Sequence, residues 1–404
     1  MEKMQQPQKF AVNIAEDVLE DLRQRLRRTR WPDDFGNDDW RYGVNGDYLR
    51  SLVDYWAEGF DWQAQQQAMN RFDHYRVAID DIPIHFLRQP GKGPSPIPII
   101  LTHGWPWTFW DYRDVIEPLS DPARFGGDPA DAFEVIVPSL PGFGFSTPLR
   151  TTGINFWSTA DLWQRLMTDV LGFSRYAAQG GDWGAMITTQ LGHKYADSLY
   201  GIQVSAPMTL NAFSGARPYD LLGAHVSQLP PDVAAQAIAA ERRIASHVTV
   251  HLLDPQTLAY AMHDSPVGLL AWLLERLRAW SDCGGDVESR FSRDDILTKA
   301  TLYWVTESFG TTVRFYAEAA RQPWQPSHER MPMVEAPSGV SMFRNDGAGL
   351  FGEAMLPIYN LHHLSEHGSG GHFAPMEEPQ LLIEDIRSTF RTLRWQQQKT
   401  SQAG

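Results

Sequence analysis

Residues 179–184 read Gln-Gly-Gly-Asp-Trp-Gly, after a short apolar run at 175–178 and before a helical pattern at 185–195. Gly180 and Gly184 flank Asp182 at the spacing that permits a sharp strand–turn–helix bend, which lifts a nucleophilic side chain above a sheet. A carboxylate in that position can attack an sp³ carbon and leave an ester that water later cleaves. The same aspartate also suits an ordinary N-cap for the helix at 185–195. Its neighbours must decide between the two.

His103-Gly104-Trp105-Pro106 follows the apolar run 97–101, where a hydrolase with such a turn needs an oxyanion loop. The backbone N–H groups of Trp105 and Trp183 are candidates to hold a negative oxygen, although Gly and Pro punctuate any loop. Pro141 to Ser146 (PGFGFS) follows the run 133–137 and suits a tight loop beside a pocket. Among 13 histidines, His372 stands out in Gly-Gly-His-Phe-Ala-Pro, after the last strand pattern and before the last helix. Asp346, in Phe-Arg-Asn-Asp-Gly, directly follows the strand pattern 339–343, with Glu353 as the competing carboxylate. The chain order Asp182, Asp346, His372 is nucleophile, acid, base. His362, His363 and His367 lack partnering ligands, so no metal and no cofactor is expected.

These residues need a scaffold that holds them. Residues 14–26 carry apolar positions at helical spacing, with Asn13 as the expected cap, and 46–58 form a second helix. Two β patterns at 75–79 and 82–87 flank Asp80-Asp81 as a hairpin. Apolar runs at 97–101, 133–137, 175–178 and 202–204 then alternate with helices at 157–171 and 185–195, which implies a mostly parallel sheet covered by helices. From about 207 to 325 the pattern is helical throughout (233–246, 269–279, 297–320). Strand signals return at 333–335, 339–343 and 359–364, and a last helix runs over 379–393. The expected organisation is a helical N-terminal meander (1–72), a core in two parts (73–208 and 327–404) and a helical lid (209–326) over the sheet's active edge.

The composition fits a globular enzyme: 43% apolar, 21% charged, net charge −14. That charge argues against a nucleic-acid surface and suits a neutral small molecule. Cys283 stands alone, which excludes an intrachain disulfide and fits a reducing cytosol. The first ten residues lack a signal peptide's apolar run, and no stretch approaches a membrane span. A cytoplasmic protein without nucleic-acid or membrane partners is expected, with a homodimer left open. Fifteen tryptophans mostly fill a core, but Trp105, Trp107 and Trp183, with Phe109 and Trp110, suggest an apolar substrate pocket.

Taken together, the Trp31-Pro32 segment, HGWP, GGDWG, residues 264–269 (DSPVGL) and GGHFAPMEEP resemble the epoxide hydrolase family, in its microsomal-like branch with an N-terminal meander. The resemblance covers nearly the whole chain. It implies an α/β-hydrolase fold, Asp182 as nucleophile, His372 as base and Asp346 as its orienting acid. Membrane-bound relatives carry an N-terminal anchor helix for which the first residues here give no signal, so a soluble, bacterial-type member is expected. The resemblance also implies two donors to the epoxide oxygen. One is Tyr316; the other, a tyrosine in the family, falls on His247 by ungapped counting from Asp264-Ser265-Pro266, with Tyr260 as the fallback. A neutral imidazole can donate one N–H. Unless burial moves it, His247 titrates near 6.5 and makes ring opening pH-sensitive. A haloalkane dehalogenase would share the Asp turn but needs no proton donor such as Tyr316. A non-enzymatic binding protein would tolerate loss of the triad.

Overall fold

The computed structural model describes residues 6–213, 219, 230–346 and 352–402. Gly347, which closes the Asp346 motif, and 214–218 and 220–229 at the start of the expected lid lie outside the described residues.

Among the described residues nine strands form one sheet: β1 (Gln8–Phe10), β2 (Asp73–Ile79), β3 (Ile82–Gln89), β4 (Ile97–Thr102), β5 (Phe133–Pro138), β6 (Tyr176–Gly181), β7 (Leu199–Ser205), β8 (Val334–Phe343) and β9 (Tyr359–His367). Their order is β1-β2-β3-β5-β4-β6-β7-β8-β9. The first three pair antiparallel, β3 meets β5 antiparallel, and every pair from β5–β4 to β8–β9 is parallel. Ile99, Ile100, Leu101, Val135, Ile136, Val137, Ala177 and Ala178 are fully buried. Burial on both faces explains why the central strands read as continuous apolar runs. Asp80 and Asp81 both take positive φ, 51° and 62°, as a two-residue hairpin turn between β2 and β3 demands.

The helices fall into three groups. Before the sheet come α1 (Glu16–Arg27), α2 (Gly46–Glu58) and α3 (Trp62–Met69). Among the strands lie α4 (Arg113–Ser120), α5 (Phe156–Arg165) and α6 (Trp183–Lys194). A helical block follows β7: α7 (Pro231–Leu253), α8 (Pro255–Asp264), α9 (Pro266–Trp280), α10 (Arg293–Val305) and α11 (Phe309–Arg321). Short α12 (Gly352–Met355) and α13 (Ala374–Glu377) precede the last helix, α14 (Pro379–Gln402). No described helix is long and apolar enough to cross a membrane.

Three expectations need correction. The cap of α1 is Ala15, not Asn13, and it makes no side-chain cap bond. The strand signals at 333–335 and 339–343 are one strand, β8, whose register shifts near Pro337; an irregularity is where a strand tolerates proline. The helix expected over 297–320 is two helices, broken at Thr306–Ser308, where Glu307 takes φ 52°.

The block is tied to the core by buried chemistry. Lys299 of α10 forms an ion pair with Asp111, both nearly inaccessible, and Tyr303 Oη donates to the Trp107 carbonyl at 3.0 Å. Arg113 at the start of α4 pairs with Asp295 at 2.7 Å. Trp56 of α2 donates its indole N–H to Thr301 at 2.9 Å, so the N-terminal helices also rest on the block.

Candidate active site

Asp182 sits between β6 and α6 with φ 53° and ψ −127°, a conformation that costs a non-glycine residue of order 1–3 kcal/mol and persists only where surroundings enforce it. Those surroundings leave no room for side chains. A Cβ on Gly180 would overlap the Gly184 carbonyl, one on Gly184 would overlap the Thr102 carbonyl, and one on Gly104 would overlap the Asp182 carboxylate. The glycines let the β4 loop approach the turn closely. As a result the Trp105 N–H donates to Asp182 Oδ1 at 2.7 Å. Trp183 is the first residue of α6, among the N–H groups that a helix leaves unpaired.

His103 locks this loop. Its Nε2 accepts from the Leu140 N–H at 3.1 Å, so the proton sits on Nδ1 and is donated to the Gly104 carbonyl at 2.9 Å. Burial pushes this imidazole down to about 4, which keeps it neutral.

His372 lies between the two carboxylates. Nδ1 is 3.2 Å from Asp346 Oδ1, and Nε2 is 3.3 Å from Asp182 Oδ2. The second contact is within ion-pair range but lacks hydrogen-bond alignment, as is common before substrate arrives. Burial pulls the imidazole down, but the negative charges of Asp346 and Asp182 on either side of it outweigh that and push it up to about 10. Asp346 is itself buried, whereas Glu353 is exposed on α12, so the competing carboxylate is not at the site.

Above the carboxylate the helical block supplies Tyr316 from α11 and His247 from α7, with Tyr316 Oη 3.1 Å from His247 Nε2. Burial first, then the Asp182 charge, raise Tyr316 well above 10, so it stays a phenol. Burial drives His247 well below 6.5, which overturns the expected titration near that value. Tyr260 is 71% exposed on α8 and is no donor here. The ring of Trp105 stacks on His247 at 5.2 Å and 9°. Trp183 meets Tyr316 edge-on at 4.7 Å, and Trp107 meets His372 edge-on at 5.7 Å. Phe109 and Trp110 instead pack towards the N-terminal strands, against His85 and Phe72. They belong to the core rather than to the pocket.

Sequence reasoning missed His251 and Trp280. His251 is one turn beyond His247, edge-on to Trp105 at 4.5 Å, with Nε2 accepting the Trp272 indole N–H at 3.2 Å. The i, i+4 spacing of the two histidines, which puts both on one helix face, was the available signal. Trp280 meets His247 at 4.8 Å and His372 at 5.2 Å. Among the described residues no three His, Cys, Asp or Glu side chains are arranged so as to hold a metal ion; His363 and His367 bond to Ser365 and Asp385.

A parallel sheet bearing an acidic residue at the strand–helix turn, with a histidine and a second carboxylate beside it, defines the α/β-hydrolase class. Residues 97–318 match the family described as alpha/beta hydrolase fold, and 7–112 match that described as Epoxide hydrolase N terminus. A protein of Stigmatella aurantiaca, provisionally named an epoxide hydrolase, is 37% identical over 95% of this chain and 85% of its own. Epoxide hydrolase 1 of Oryctolagus cuniculus is 32% identical, over 93% of this chain and 87% of its own. The solved juvenile hormone epoxide hydrolase of Bombyx mori superposes with a TM-score of 0.81 at 25% identity, covering 98% and 96% of the two chains. The chain belongs to the epoxide hydrolase family.

Proposed function

We propose that the protein converts an epoxide and water to a vicinal diol through an ester on Asp182. The observation that carries this reading is the placement of His372 within 3.3 Å of both Asp182 and Asp346, with the Trp105 N–H on the other oxygen of Asp182. Oδ1 is held, which leaves Oδ2 to attack a ring carbon from the side opposite the epoxide oxygen. The C–O bond breaks, and its electron pair takes the Tyr316 phenolic proton. His247, neutral with its single proton on Nε2, donates that N–H to the Tyr316 oxygen and stabilises the phenolate.

Esterification then changes the base. It removes the Asp182 charge that helped hold a proton on His372, so the ring releases that proton to solvent and can accept one from water. The hydroxide equivalent attacks the ester carbonyl carbon, with the negative oxygen in the hole formed by the Trp105 and Trp183 N–H groups. The acyl C–O bond of the ester breaks, the departing alkoxide takes the proton that His372 drew from water, and the diol leaves. The proton left on the Asp182 carboxyl passes to the Tyr316 phenolate, His372 regains its own from solvent as the Asp182 charge returns, and Asp346 keeps the imidazole oriented.

In this reading α7 to α11 form a lid, the strands from β2 onward with α4 to α6 and α14 form the core, and α1 to α3 pack on both. Trp105, Trp107 and Trp183 line the substrate pocket. The lone, buried Cys283 suits a cytoplasmic setting. The relatives named above all carry epoxide hydrolase names, which favours this reading over a dehalogenase; a buried phenol serves an alkoxide, not a departing halide.

The test uses styrene oxide with two variants. Asp182→Ala abolishes diol formation, and His372→Gln accumulates the hydroxyalkyl ester, seen by mass spectrometry on the Asp182 peptide. Turnover by Asp182→Ala would sink the proposal.

A further inference from the structure

Glu377 is a buried carboxylate that the steps above do not use. It ends α13, five residues after His372. Oε1 accepts the Phe373 N–H at 2.8 Å and Oε2 accepts the Asp282 N–H at 2.6 Å. Two donors on two oxygens require a carboxylate, because an amide presents one oxygen and turns an NH₂ towards the other donor. Phe373 follows the base directly, while Asp282 lies two residues beyond α9.

Other bonds join the same segments. The His372 N–H donates to the Trp280 carbonyl at 2.9 Å, and the Gly370 N–H donates to Asp282 Oδ2 at 3.0 Å. Arg290 donates Nε to the Asp282 carbonyl at 2.7 Å and reaches Asp282 Oδ2 at 2.9 Å and Glu378 Oε1 at 3.1 Å. A Cβ on Gly371 would sit 2.7 Å from the Trp280 carbonyl oxygen, so the two segments touch backbone to backbone. The base loop is thus fastened to the end of a helix from the block above it.

We propose that Glu377 is a positioning residue for ester hydrolysis, holding His372 in register with the end of α9 through its two carboxylate oxygens. The inference rests on His372 being the base. Displacement of a reacting group by about 1 Å costs on the order of 10²-fold in rate, and only the second half-reaction needs the base. Ring opening uses Asp182 and Tyr316 and is buffered from such a shift.

The groups facing Glu377 are His372 from its own loop and Arg290 from the segment between α9 and α10, both favouring its charged form; Lys299 of α10 lies over the Phe373 ring at 5.2 Å. Burial outweighs the two N–H donors and these cations and pushes Glu377 up to about 7. As pH falls through that value the carboxylate gains a proton, loses one acceptor, and the clamp loosens.

The experiment resolves ester formation from ester hydrolysis by stopped-flow tryptophan fluorescence with styrene oxide. Glu377→Gln is compared with the wild type from pH 5.5 to 8.5, and His372→Gln serves as reference for a lost base. At pH 8, Glu377→Gln hydrolyses the ester at least tenfold more slowly, with ester formation within threefold of wild type. The gap narrows below pH 6, where the wild-type Glu377 is itself protonated. Equal losses in both steps, no loss in either, or a gap independent of pH would overturn the inference. If His372→Gln accumulates no ester, it is the assignment of the base that fails. Should Glu377→Gln not fold, the less buried Asp282→Asn must show the same selective slowing in smaller measure, and its absence is equally decisive.

Discussion

At the scale of single residues, His247 stands 3.1 Å from Tyr316 Oη, at the position where the family resemblance implies a second tyrosine. A histidine at this position invites the expectation of a titration near 6.5, because the sequence shows the ring and not its surroundings. Trp105, Trp280, His251 and Tyr316 enclose it, and burial holds it neutral. Ring opening is therefore flat between pH 6 and 8 as far as His247 is concerned. Single-turnover rates of ester formation check this; a break near 6.5 that vanishes in His247→Tyr would contradict it. Tyr316→Phe removes the proton donor and slows ester formation by about 10²–10⁴-fold, whereas an unchanged rate would take Tyr316 out of the chemistry. That Asp182, His372 and Asp346 meet was readable because each lies in a local motif at the end of a strand pattern. His251 was not, since its place depends on what α7 packs against.

At the scale of elements, the turn from β6 to α6 concentrates the demands. Gly184→Ala drives a methyl group into the Thr102 carbonyl, backbone that has little room to yield. Overpacking of this kind costs about 1–3 kcal/mol, so a lowered thermal midpoint is expected together with loss of the Asp182–Trp105 hydrogen bond and of activity. Wild-type stability in Gly184→Ala would show that the turn has room for a methyl group. The parallel strands were legible because burial on both faces leaves uninterrupted apolar runs, and α2 because Leu49, Leu52, Val53 and Trp56, all buried, recur at helical spacing. The break between α10 and α11 was not, since Glu307 adopts positive φ without a glycine or proline to announce it. Three-residue β1 is too short for any period to show, and it exists because its partner β2 offers an edge.

At the scale of the whole molecule, buried histidines dominate the response to acid. His74, His85, His103, His193, His247 and His251 all lie below the ordinary imidazole value, each chiefly through burial. A base held neutral in the fold and free to protonate when unfolded stabilises above the unfolded value of about 6.5 and loses that contribution as pH falls. Each adds up to about 1.4 kcal/mol per pH unit, so urea midpoints fall steeply between pH 6.5 and 4. A midpoint constant over that range would show these rings to be accessible to protons in the fold. His372 runs the other way: its raised value stabilises below 6.5, and that contribution is lost as pH rises through about 10. The account as a whole stands on the Asp182 ester, and a single turnover of styrene oxide in heavy-oxygen water tests it most directly. Heavy oxygen in the Asp182 carboxylate, with light oxygen in the first-formed diol, is the predicted result; labelled diol beside an unlabelled Asp182 would mean direct attack by water and would contradict it.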